Sequence, residues 1–305
     1  MTDIADKVSV STMLRFSFAV IALILIAQTS FASQPEYNFK TLASFAKLSS
    51  AAYQHEPKIK ALCDELGYTL DYSATTLEAE VFYFMATDEV NRIHLVSVRG
   101  TASPVNIMVD ADIQLQIDKL TGQRMHLGFA QPAQIIYKKL KQKFKPGYKI
   151  QTTGHSLGGA VAMILAMYLD KEKYIVDRVV TFGQPKVTNI TGSQRFQHLN
   201  ILRVVTPKDV VPLLPPLDPV NIRNLDIYWH VGDELILYHG DRYSVTGGIP
   251  AMLRAANFFT TRPGQENFSH HQMAFYLERV EEKQHESLKV PFKNDINLLN
   301  IFSSE

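Results

Sequence analysis

Lys149-Ile150-Gln151-Thr152-Thr153-Gly154-His155-Ser156-Leu157-Gly158-Gly159 reads as a strand running straight into a helix, with a serine at the junction. Residues 148–153 are strand-like, and residues 157–169 form a strongly apolar run of helical length. Small residues on either side of Ser156 let the two elements pass close together on a sharp turn. That turn sets the serine hydroxyl at a helix N-terminus, where backbone N–H groups and the dipole favour negative charge.

The surrounding sequence repeats the alternation. Residues 37–53 carry apolar side chains at helical spacing (Phe39, Leu42, Phe45, Ala46, Leu48, Ala52). Residues 81–86 and 92–98 read as strands, and 129–140 as a helix ended by Pro146-Gly147. Residues 176–182 and 201–205 are further β-rich runs, each closing on a Gly- or Pro-containing loop; 228–231 and 234–238 are expected as edge strands. Strands alternating with helices predict an α/β fold, a largely parallel sheet covered on both faces in one domain.

A serine hydroxyl is a weak nucleophile at neutral pH and needs a histidine base oriented by a carboxylate. On a strand–turn–helix elbow these follow the serine in the order acid, then histidine. Asp209 stands in Thr206-Pro207-Lys208-Asp209, directly after the strand at 201–205 and ahead of the apolar Val210-Val211-Pro212-Leu213-Leu214. Taken alone, an Asp in such a turn is a solvated surface residue; the apolar run behind it is what argues for burial. Asp218, Asp226, Asp233 and Asp241 are less well placed. Of the later histidines, His230 and His239 lie in or beside strand-like runs, as hydrogen-bonded structural histidines do. His270 and His271 precede the helical pattern at 273–277, where the fold needs its base, and only one of the two can serve. The oxyanion donors are expected from the Leu157 N–H and from Thr101, in the loop that ends the strand Val96-Ser97-Val98-Arg99-Gly100-Thr101.

Bulk composition narrows the partners. In 305 residues, 46% are hydrophobic and 20% charged, enough apolar content for a sizeable core. A formal net charge of +1 speaks against nucleic acid or an anionic surface as the main partner. Cys63 is the single cysteine, which excludes an internal disulfide and a thiolate metal cluster; it reads as a small buried hydrophobe. Residues 16–27 form an apolar run followed by Ser30-Phe31-Ala32, the length and cleavage pattern of a secretory signal. Asp3 and Asp6 do not suit a basic leader, whereas a start at Met13 sets Arg15 directly before the run. The expected organisation is a signal peptide over 1–32, a catalytic domain over 33–282 and a C-terminal extension over 283–305, with an uncleaved N-terminal anchor as the alternative.

With these residues assembled, the chain resembles the class 3 lipases, the fungal-lipase-like α/β-hydrolases, from about residue 37 to about 277. Ala46-Lys47-Leu48-Ser49-Ser50-Ala51-Ala52-Tyr53 is similar to the family's opening helix, and Arg99-Gly100-Thr101 to its oxyanion turn. Asn106 and Asp110 fit an Asn-Trp-x-x-Asp pattern in which Ile107 replaces Trp. His126-Leu127-Gly128-Phe129, Phe182-Gly183-Gln184-Pro185-Lys186-Val187 (Lys186 where the family has Arg), the loop around Asp209, and His230-Val231-Gly232-Asp233-Glu234 follow in order. His271-Gln272-Met273 with Tyr276 fits a His-x-Met-x-x-Tyr pattern, which selects His271 over His270.

The resemblance implies an α/β-hydrolase fold with a short lid over residues 102–111, and ester hydrolysis by Ser156, His271 and Asp209 without cofactor or metal. Its implied substrate is a lipid ester, triacylglycerol or related, met at a lipid–water interface if the lid works. A phospholipase, an acyltransferase or peptidase on the same triad, and a non-catalytic lipid-binding protein are the alternatives. Residues 244–259, with Ile249, Met252, Leu253, Phe258 and Phe259, either line an acyl groove or fill the core.

Overall fold

The computed structural model describes residues 37–77, 79–101, 115–215, 227–248, 250–251 and 264–292. The expected signal segment, the lid segment with Asn106, Ile107 and Asp110, and most of the 244–259 stretch lie outside them.

In chain order the helices are α1 (Phe39–Ala51), α2 (Glu56–Glu65), α3 (Leu127–Leu140), α4 (Leu157–Lys171), α5 (Ile190–Arg195), α6 (Gln265–His270) and α7 (Met273–Glu281). The strands are β1 (Thr69–Thr75), β2 (Phe82–Asp88), β3 (Ile93–Val98), β4 (Leu115–Ile117), β5 (Arg124–His126), β6 (Lys149–His155), β7 (Ile175–Phe182), β8 (Thr188–Asn189), β9 (Ile201–Val205), β10 (Tyr228–Trp229), β11 (Asp233–Leu237), β12 (Arg242–Thr246) and β13 (Leu288–Lys289). Among the described residues the main sheet runs β1-β2-β3-β6-β7-β9-β11-β12-β13. Its centre, β3 through β11, is parallel throughout, while β1 and β2 on one side and the β11–β12 pair on the other are antiparallel.

Alternation along β3 and β6 divides the core in two. Val96, Val98 and Ile150 join α3 and α4 in one apolar cluster. On the other face, Ser97 Oγ donates to the Leu48 carbonyl of α1. Helix α4 is buried on every side from Gly158 to Leu169, because the sheet lies under it and α3 over it. Helices α1 and α7 pack together, α1 also lying on the central strands. Both faces are thus covered, as a parallel sheet requires.

Two expectations need correction. The strand expected at 234–238 is no edge: β11 lies between β9 and β12 and extends the parallel run. Glu234 on this interior strand is buried against Arg203 of β9 in an ion pair of 3.0 Å. Residues 228–229 do form a strand, but in a separate small sheet of order β10-β8-β5-β4. Cys63 is fully buried in α2, the place expected of it. Within the stretch expected as an extension, β13 pairs with β12, and Lys283 Nζ donates to the carbonyls of Tyr238, Gly240 and Arg279.

Candidate active site

Strand β6 ends at His155 and α4 begins at Leu157, which leaves Ser156 alone at the junction with φ 59° and ψ −131°. A non-glycine residue in this region stores about 1–3 kcal/mol of strain, sustained only where surrounding packing dictates it. The packing is explicit here. A Cβ on Gly158 would lie 2.2 Å from the Val98 carbonyl oxygen, and one on Gly154 would lie 2.4 Å from that of Gly158. The glycines around the serine therefore answer to helix–strand contact, with no side chain able to fit. The first hydrogen bond of α4 is Ala160 N–H to Ser156 O, so the N–H groups of Leu157, Gly158 and Gly159 stand ahead of the helical ladder.

Asp209 and His271 arrive from two loops at the same end of the sheet. Asp209 closes a turn after β9, its N–H donating to Thr206 O at 3.3 Å. One carboxylate oxygen, Oδ1, accepts from Val211 N–H at 2.9 Å and so caps the short 3₁₀ turn Val211–Leu213. His271 occupies the joint between α6 and α7. The two loops are tied together: Thr206 Oγ1 donates to His270 O, Asn267 Nδ2 donates to Lys208 O, and Lys208 pairs with Glu266.

The result is a continuous chain of hydrogen bonds. Ser156 Oγ lies 2.9 Å from His271 Nε2, and His271 Nδ1 lies 2.8 Å from Asp209 Oδ2. An ionised carboxylate only accepts, so Nδ1 carries the proton of a neutral His271 and Nε2 presents a lone pair to the serine hydroxyl. All three residues are buried. Burial alone would raise the Asp209 carboxyl, but the charge and hydrogen bond of His271, with the hydrogen bonds from Tyr276 and Val211, hold it below the usual carboxylate range.

Each expected residue has a definite place. Ser156, Asp209 and His271 converge, and Leu157 opens α4. Thr101 directly follows Gly100, whose missing side chain lets the turn approach to where a Cβ would stand 3.0 Å from Ser156 Cβ. His270 is outside the chain and packs its ring on Phe275. His230 donates through Nε2 to the Pro212 carbonyl, a structural role of the kind expected. Lys186, which departs from the family's Arg, is buried and donates to the carbonyls of Leu213 and Pro215 beyond the acid loop.

Two further residues belong to this region, Tyr53 and His155, which lie within motifs quoted above but were given no role of their own. Tyr53 Oη lies 2.8 Å from His155 Nδ1, and His155 Nε2 lies 2.6 Å from the His271 carbonyl oxygen. Burial and the neighbouring His271 charge push His155 down to about 3, so it is neutral at working pH. A doublet of residues beside a motif serine says nothing about a partner 102 positions earlier in the chain.

A central parallel sheet covered on both faces, with a strained serine on its strand–helix elbow, defines an α/β-hydrolase fold. Residues 95–218 match the family model Lipase (class 3), a span that includes the Arg99-Gly100-Thr101 turn, the serine elbow and the loop of Asp209. It is similar to secreted mono- and diacylglycerol lipase 1 of Fusarium solani, with 32% identity over 147 residues, 44% of this chain and 43% of the relative. It is also similar to the chloroplastic phospholipase A1-Igamma2 of Arabidopsis thaliana, with 38% identity over 110 residues, 30% of this chain and 21% of the relative. The chain thus spans under half the length of either relative. Among solved structures it is similar in fold to an MDLA variant from Penicillium cyclopium, with TM-score 0.59 and 23% identity, covering 76% of this chain and 93% of that one.

Proposed function

We propose that this chain is an exported serine ester hydrolase acting on lipid esters through an acyl-enzyme on Ser156. The observation that carries the reading is the Ser156–His271–Asp209 chain, with contacts of 2.9 and 2.8 Å in the orientation that proton transfer needs. His271 Nε2 takes the hydroxyl proton as Ser156 Oγ attacks the ester carbonyl carbon. Asp209 holds the ring in the productive tautomer and stabilises the imidazolium that forms. The N–H groups of Leu157 and Thr101 receive the oxyanion. The leaving alcohol takes the proton from His271, and water, activated by the same base, releases the acid. Side chains and water suffice for these steps.

Similarity to a secreted mono- and diacylglycerol lipase supports a glyceride ester as substrate and an export signal over residues 1–32. Similarity to a phospholipase A1 favours a second reading, in which the same residues cleave a glycerophospholipid. Hydrolysis by the purified protein of a panel of glycerides and phospholipids separates the two. Fluorophosphonate labelling of Ser156, lost in Ser156→Ala, tests the nucleophile. A folded wild-type chain that neither labels nor hydrolyses any panel member would overturn the reading and leave a non-catalytic lipid-binding protein. N-terminal sequencing of the exported protein tests the signal segment; an intact 16–27 run in the exported chain would refute cleavage.

A further inference from the structure

The proposed chemistry leaves Tyr53 and His155 without a task, yet their hydrogen bonds connect the Gly100 turn to the backbone of His271. The His271 carbonyl oxygen only accepts, so the His155 Nε2 at 2.6 Å carries a proton. The ring is neutral, so Nδ1 presents a lone pair and the Tyr53 hydroxyl at 2.8 Å donates to it. The same hydroxyl oxygen accepts from the Gly100 N–H at 3.1 Å. Direction is therefore fixed along the whole path, from Gly100 N–H to Tyr53 Oη–H to His155 Nδ1, and from His155 Nε2–H to the backbone of His271.

The fit around Gly100 makes this path consequential. A Cβ there would lie 2.6 Å from the His155 carbonyl oxygen, 2.6 Å from Tyr53 Oη and 3.0 Å from Ser156 Cβ. The turn that leads into Thr101 thus rests directly on the elbow, and the Tyr53 hydroxyl is its polar anchor. We propose that Tyr53 is a positioning residue: its hydroxyl holds the Gly100 amide so that the adjoining Thr101 N–H faces the oxyanion, and His155 fixes that hydroxyl relative to His271. This rests on the ester-hydrolase reading above. Tyr53 touches no reacting atom; it acts through the backbone of the turn. His155 in its neutral form adds no positive charge beside His271, whose ring centroid is 4.7 Å away, when His271 becomes an imidazolium.

The test compares Tyr53→Phe with wild type on a soluble short-chain ester and on a trifluoromethyl ketone, which adds to Ser156 as a hemiketal oxyanion. Removal of a donor from an oxyanion hole costs about 100-fold or more in rate, and a misplaced donor is expected to cost about 10- to 100-fold. That loss should appear in kcat with KM within about twofold, and ketone affinity should weaken by the same factor. The pH midpoint of kcat should not move, because the contacts among Ser156, His271 and Asp209 stay intact. A merely structural role would lower the active fraction and leave ketone affinity per active site unchanged. Ser97→Ala, which removes a bond from β3 to the Leu48 carbonyl outside this path, is the control for packing of α1.

A second pair keeps the question open to refutation should Tyr53→Phe not fold. In His155→Gln the amide can still donate to the His271 carbonyl and accept from Tyr53, whereas His155→Leu can do neither. Gln should retain most of the rate and Leu should lose it. Equal loss in both, an unimpaired Tyr53→Phe, or a loss confined to KM would each overturn the proposal. An inactive, unlabelled wild type would instead sink the ester-hydrolase reading, and this inference with it; an active wild type beside an unimpaired Tyr53→Phe would sink the inference alone.

Discussion

The Tyr276 hydroxyl donates to Asp209 Oδ2 at 2.5 Å, the same oxygen that accepts from His271 Nδ1. Tyr276 sits in the first turn of α7, so the helix that begins beside His271 also holds the Asp209 carboxylate. Hydrogen bonds to a charged group contribute about 1.5–3 kcal/mol. Tyr276→Phe should therefore lower kcat on a soluble ester by about 10-fold or more, with the acid released to rotate from His271. Steady-state kinetics on purified protein decide the matter, and an unchanged kcat would mean that the clamp is redundant.

The backbone of Ser156 makes a separate prediction about stability. Alanine keeps a Cβ at φ 59°, whereas glycine adopts that region without strain. Both Ser156→Ala and Ser156→Gly should abolish hydrolysis. The glycine variant should nonetheless be the more stable of the two, by about 1 kcal/mol. Urea denaturation of the pair measures the difference; equal midpoints would show that the elbow is unstrained.

Gly158 is constrained by space. Its neighbours within reach of a Cβ are backbone atoms of Val98 and Arg99, which cannot rotate away. Gly158→Ala should destabilise the fold by about 3 kcal/mol or prevent folding, the upper range for overpacking. Circular dichroism and a urea midpoint check it, and a wild-type midpoint would mean that α4 can slide on β3.

The pH dependence of stability should carry the mark of His155. Its folded pKa is about 3 against 6.5 for the free side chain, so between these values the unfolded chain binds the extra proton. Stability should fall as pH drops through that window, by up to about 1.4 kcal/mol per unit. His155→Gln should flatten the slope between about pH 4.5 and 6.5, above the range where carboxylates such as Asp209 titrate. A slope identical to wild type would show that His155 is already charged in the folded state.

Much of the fold was legible because its signals are local. The strand at 201–205 coincides with β9, and the helix expected from residue 129 begins two positions earlier, where His126 ends β5 and opens α3. Strand β1 alternates Leu70, Tyr72 and Ala74 with Thr69, Asp71, Ser73 and Thr75, but its apolar side is only half-buried, and the strand was not among those expected. β11 is interior because it pairs with both β9 and β12, and pairing between strands is not written in the pattern of either one.

The serine elbow was determined by sequence alone, since strand, turn and helix are contiguous and each obeys a short-range rule of period or size. Asp209 and His271 were legible as candidates at loop positions in the expected order, and the resemblance was needed to prefer His271 over His270. What only the tertiary structure decided is the set of contacts made between residues far apart in the chain: His271 with Ser156, Tyr276 with Asp209, and Tyr53 with both His155 and Gly100. Such contacts depend on which loops the parallel sheet delivers to one end of its strands, and no local propensity encodes that convergence. The strain on Ser156 is of the same kind: a single serine φ follows from α4 being pressed against β3, a contact between segments that folding brings together.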